Sequence, residues 1–129
     1  MLVSSLSAEL PVSLPLRECR DLPFILISTD RSPTFHRHAV RLCANHGFHP
    51  RIVQEVPEVT TALALVQAGL GVTMIPQSFG TTQFAGVRFH KLNDTEGRWK
   101  VGAAWRKGDT NPLLHRFLAM LKSEIKSTR

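Results

Sequence analysis

Apolar positions along the chain follow two alternating rhythms. Short, nearly continuous runs recur at Phe24 to Ser28, Gly71 to Ile75 and Val87 to His90. Runs of this kind suit strands covered on both faces. Between them, apolar residues return every three or four positions, the period of a helix buried on one side. Phe35, Ala39, Leu42 and Cys43 form one such stripe, opened by Ser32-Pro33 and closed by Gly47. A capping residue followed by proline is a favoured helix start, and glycine supplies the left-handed turn that ends one. Val59, Ala62, Leu63, Val66 and Leu70 form a second stripe. Pro57 is expected as its first helical residue, with Glu58 at the positive end of the dipole and Gly69 at the close. Leu113, Leu114, Phe117, Leu118, Leu121 and Ile125 form a third, after the turn and cap Gly108-Asp109-Thr110-Asn111-Pro112.

The remaining segments fill in around these. Arg51 to Glu55 is expected as a strand between the first two helices. Gln77 to Phe84 holds one short helical turn, and Asn93-Asp94 with Gly97 forms a turn. Arg98 to Arg106 alternates and carries Trp99, Val101, Ala103 and Trp105 on one face, which predicts a fifth strand. Met1 to Asp21 has weak periodicity and is broken by Pro11 and Pro15. It is expected as an extended lead-in, residues 1–21, with a short turn at Leu16 to Cys19. Residues 22–129 are then the folded unit. Strand–helix alternation of this kind predicts the α/β class, with a mostly parallel sheet and helices on both faces.

Composition narrows the function more than the fold. At 129 residues, 43% hydrophobic and 20% charged, the chain is sized and composed as one globular domain. No apolar run approaches the ~20 residues of a membrane helix. MLVSSLSAEL lacks the basic start of a secretory signal, so a cytoplasmic location is expected, with no membrane partner. The net charge of +6 invites a nucleic-acid reading. Its arginines and lysines are dispersed, however, no stretch interleaves them with aromatics, and no helix-turn-helix pattern is present, so a solvated basic surface that favours anionic ligands is the better account. Cys19 and Cys43 make no CxxC and read as ordinary thiols.

Candidate chemistry is sparse. His36, His38, His46, His49, His90 and His115 lack the spacing and companions of a metal set, so no metal is expected and surface histidines are the simpler reading. No cofactor is expected either. Ala68-Gly69-Leu70-Gly71 follows a helix and precedes a strand, the reverse of a phosphate-binding turn. No serine sits in a G-x-S-x-G elbow and no acidic pair suggests general acid–base work, so the chain is not expected to be an enzyme. One place remains. Ser32-Pro33-Thr34-Phe35 follows a strand and opens a helix, where backbone N–H groups and the dipole attract anions. The same residues also read as a plain cap with Phe35 in the core.

The run from Gln54 to Pro76, QEVPEVTTALALVQAGLGVTMIP, closely resembles the matching run in the effector-binding domain of LysR-type transcriptional regulators. Leu22 to Ile27, Ser32 to Phe35, Gly47 to Pro50, Trp99 to Lys107 and Asn111 to Leu121 continue the resemblance in register, over roughly Leu16 to Ile125. The resemblance implies a lobe of the periplasmic-binding-protein-like (type 2) fold, the second of two, with the last strand and helix returning toward the first. It implies that Ser32, Pro33, Thr34 and Phe35 contribute the second-lobe half of an effector pocket. Thr34 would offer a hydroxyl and Phe35 an apolar wall, and the effector would be a small organic anion. It further implies a homo-oligomer, and DNA contact only through a winged helix-turn-helix domain that lies outside this sequence. A lobe of a periplasmic-type solute-binding protein shares the fold and is the alternative.

Overall fold

The computed structural model describes residues 1–81, 84–92, 97 and 102–127. The chain divides into two compact units, Met1–Arg98 and Trp99–Arg129. In the first, strands β1 (Leu2–Ser5), β2 (Pro23–Ile27), β3 (Arg51–Val56), β4 (Thr73–Met74) and β5 (Val87–His90) accompany helices α1 (Pro33–Asn45) and α2 (Val59–Gln67). Short 3₁₀ turns occupy Leu16–Cys19 and Gln77–Thr81, where the sequence predicts turns.

β2 and β3 pair in parallel, joined by α1. β1 lies between β4 and β5 and runs antiparallel to both. A parallel bridge at Phe24 and Val72 links the two sets, with Ile25 N–H donating to Val72 O and Val72 N–H to Pro23 O, each at 2.8 Å. The Thr73 hydroxyl adds a bond to Ile25 O at 2.7 Å. The sheet is therefore mixed rather than mostly parallel. The correction comes from β1. Leu2–Ser5 is not a lead-in but a wholly buried central strand. Its partners lie near the far end of this unit, so no local signal in the first residues announces them.

Helices do cover both faces. β2 alternates: Phe24 and Leu26 join Leu2, Met74 and the α1 residues Ala39, Leu42 and Cys43 in one core cluster. Ile25 and Ile27 join Val3, Ile75 and the α2 residues Ala62, Leu63 and Val66 in the other. The period of two along a strand delivers successive side chains to opposite layers, and each fully buried Leu, Ile or Phe contributes ~1.5–3 kcal/mol. β3 is the outer strand and is largely exposed, with Ile52 and Val53 open to solvent. A register shift beside Val53 puts a bulge there, a feature that discourages further strands from adding to an edge.

Helix starts differ in detail from the pattern. α2 begins at Val59, so Pro57 and Glu58 precede it; the Glu58 carbonyl accepts from Ala62 N–H at 3.1 Å as its cap. The second unit contains α3 (Pro112–Ser127), capped by Asn111, whose side-chain oxygen accepts Leu113 N–H at 2.9 Å. On α3, Leu114, Leu118 and Leu121 are half-buried, while Leu113, Phe117, Met120 and Ile125 are exposed. The fifth strand expected at Arg98 to Arg106 falls partly outside the described residues. Its described part, Gly102 to Arg106, is irregular and exposed, with Trp105 at 53%. A shared face for Trp99 and Trp105 therefore has no strand to carry it over those residues.

Candidate functional site

The parallel pairing sends β2 and β3 to the same carboxyl-end edge, and ligands of open α/β sheets gather beyond such edges. Here the chain leaves β2 through Ser28, Thr29, Asp30 and Arg31 and enters α1. The turn is fixed by backbone bonds. Ser28 N–H donates to Val56 O at 2.8 Å, tying the ends of β2 and β3 together. Ser28 O then accepts Ser32 N–H at 3.0 Å and Arg31 N–H at 3.3 Å.

Ser32 occupies the cap position of α1 with φ −146 and ψ 75, yet makes no side-chain capping bond; its carbonyl accepts His36 N–H at 3.0 Å instead. The capping bond expected of its hydroxyl is absent. Pro33 holds the first helical position and, like Thr34, is exposed; Ser32 is half-buried. Phe35 is only 9% exposed and belongs to the α2-side cluster with Ile25, Ile27 and Val56. So the structure brings Ser32, Pro33 and Thr34 to one accessible turn and sets Phe35 in the core, too buried to offer the broad apolar wall that the resemblance implies.

The electrostatics of the turn are mixed. The Ser28 hydroxyl bonded to Asp30 holds that exposed carboxyl below the usual range, aided by local N–H groups and Arg31, against a smaller opposing effect of desolvation. An anion near this turn would thus be drawn by the helix N-terminus and Arg31 and repelled by Asp30. His36, one turn into α1, adds an anchor that the sequence did not reveal. Its Nδ1 lies 2.9 Å from Ile27 O and 3.2 Å from Glu55 Oε1, so one imidazole N–H ties the first turn of α1 to the ends of both strands. A histidine beside a proline-capped helix start carries no signal of that role until β3 is placed.

A second polar pair escaped the sequence as well. Ser4 Oγ stands 2.8 Å from His90 Nε2, and His90 Nδ1 stands 2.8 Å from Pro11 O. The geometry is that of a nucleophile and its base, but both side chains are fully buried, so no substrate can approach. The pair serves packing: it satisfies a histidine inside the core and pins the Pro11 segment to β5. His90 is accordingly not a surface histidine, nor is His36, with its side chain 12% exposed. Among the described residues no cluster of His, Cys, Asp or Glu has the makings of a metal site, and no helix is long and apolar enough to cross a membrane.

Comparison with known proteins adds to this geometry. Residues 4–126 match the model of the LysR substrate binding domain. The HTH-type transcriptional regulator AlsR of Bacillus subtilis is 31% identical over 106 residues, covering 82% of this chain and 35% of AlsR. The BenM effector binding domain with its effector benzoate matches with a TM-score of 0.66 at 27% identity, over 75% of this chain and 46% of that one. CbnR, a LysR family transcriptional regulator, matches in fold with a TM-score of 0.76 at 23% identity, over 95% of this chain and 43% of CbnR. The chain spans less than half the length of each of these relatives.

Proposed function

Since the chain belongs to the LysR substrate-binding-domain family, we propose that it is effector-sensing material of a LysR-type transcriptional regulator, and that its ligand is a small organic anion. The observation that carries this is the turn itself: Ser32, Pro33 and Thr34 stand accessible at a helix start beyond the joined ends of β2 and β3. Phe35 is packed in the core, and His36 holds the turn against both strands. The positive end of a helix dipole and the amides of its first turn attract carboxylates. The benzoate bound by the BenM domain is a ligand of that chemistry.

In this reading the chain binds and does not catalyse. Operator DNA is contacted by a winged helix-turn-helix domain elsewhere in the regulator, and the dispersed basic residues give only weak, salt-dependent attraction to DNA. The location is cytoplasmic and the regulator is a homo-oligomer. The exposed stripe of α3 supports association, because apolar surface of this kind seeks a cover.

Equilibrium dialysis of the chain against benzoate and a panel of other small carboxylates tests the reading. Binding that weakens on Thr34→Ala is the expected result. Binding that Thr34→Ala leaves unchanged would move the site elsewhere.

A further inference from the structure

α1 runs away from the proposed effector turn through 13 residues, about 20 Å of helix, and ends at the cap residue His46. At that far end lies a half-open cleft of about 290 Å³. Leu14 and Leu16, only 5% and 3% exposed, form its floor, with exposed Pro15 and half-buried Leu92 as the apolar wall. The first two belong to the core cluster on the α1 face and Leu92 packs against that cluster, so the lining is fixed rather than pliable. A parallel bridge between Ser13 and Lys91 holds one side to the end of β5. Ser13, Arg17 and His46 are the polar members of the wall, and no carboxylate lines it. Arg17 itself is exposed.

A guanidinium beside a firm apolar surface is a pairing of one kind of recognition. Arg presents a planar fork of donors that fits a carboxylate with two parallel hydrogen bonds. Small-molecule sites combine a mostly apolar wall with a few polar groups that fix orientation. We propose that this cleft is a second ligand site, which takes a small amphipathic carboxylate with its apolar body on Pro15 and Leu92 and its head group on Arg17. It shares no residue with the Ser32–Phe35 turn and does not depend on that turn's role.

Sodium phenylacetate is a suitable ligand for the test, with 2-phenylethanol as its uncharged counterpart. The chain, labelled at leucine methyls, is titrated with each, and contacts from ring protons to methyls are read by nuclear Overhauser spectroscopy. Phenylacetate is expected to contact the Leu92 methyls saturably. Arg17→Gln, an exposed substitution that leaves the core intact, is expected to weaken it about tenfold or more, the worth of a charge-assisted bond. The alcohol is expected to bind as weakly to the wild-type chain as phenylacetate does to the variant. Contacts confined to the Thr34 turn, absence of Leu92 contacts, phenylacetate binding undiminished in Arg17→Gln, or the alcohol binding the wild-type chain as tightly as phenylacetate would each overturn the proposal.

Discussion

At Gly71 a Cβ would collide with the carbonyl oxygen of Pro23, the acceptor of the Val72 bond that joins β2 to β4. Backbone at both ends of that contact leaves nothing flexible to move aside. Gly47 poses a different constraint, with φ 80 and open space where a Cβ would go. Gly71→Ala should therefore cost ~2–3 kcal/mol through a forced backbone shift, and Gly47→Ala only ~1 kcal/mol through its left-handed backbone. Urea titrations of the two variants check the ranking, and equal midpoints would contradict the close approach of the strands. The cysteines make a second residue-scale prediction. Burial pushes Cys19 up to about 11 and Cys43 up to about 12, each helped by a nearby charge or thiol. In the folded chain both stay neutral at pH values where the unfolded chain's thiols, near 9.0, ionise. Their contribution is complete below pH 9 and is lost as pH rises toward 12. With no tyrosine in the chain to titrate alongside, a Cys19→Ala, Cys43→Ala variant should show a flatter alkaline limb in stability against pH. Neither thiol should react with a thiol reagent at neutral pH before unfolding.

Elements with their own periodicity are legible in the sequence: β2, α1, β3 and α3 stand where the apolar pattern, proline and glycine put them, and α2 does so but for its start, two residues after Pro57. β1 was not, because four residues carry too little pattern, and its neighbours β4 and β5 are far off in sequence. The candidate turn was legible as a place, since a strand followed by Ser-Pro and a helical stripe needs a turn at that edge. Its internal bonding was not. The Ser28 to Val56 bond, the missing Ser32 cap and the His36 anchor all depend on β3 lying beside β2. The buried Ser4 and His90 pair is hidden for the same reason, being a contact across strands from opposite ends of the unit. A direct consequence concerns the status of β1. Val3→Asp places a carboxylate at a fully buried position in a central strand, and should cost several kcal/mol, ~3 or more. Val53→Asp on the exposed bulge of β3 should change stability by roughly 0.5 kcal/mol or less. Thermal melts followed by circular dichroism separate the two. A mild effect at Val3 would restore the segment to a dispensable lead-in.

The sheet of the whole first unit is mixed because a strand from the very start of the chain inserts between two that come late, reversing direction against both. Strand–helix alternation alone cannot anticipate that, as it reports only the parallel crossovers it contains. Helix α3, in the second unit, carries the feature with the widest consequence for assembly. Leu113, Phe117, Met120 and Ile125 are exposed on it, and a double change Phe117→Glu, Met120→Glu should shift sedimentation toward the monomer across a micromolar concentration range. Identical sedimentation of the variant and the wild type would place any association elsewhere. The proposed sensing role rests on the accessible turn at the start of α1 as an effector contact. Backbone amide spectra of the chain, recorded by NMR during a benzoate titration, test it most directly. Saturable shifts at Ser32 and Thr34, reduced by Thr34→Ala and spreading through His36 toward Glu55, are the predicted result. Saturable benzoate binding that leaves Ser32 and Thr34 unmoved, or no saturable binding of any small carboxylate, would contradict it.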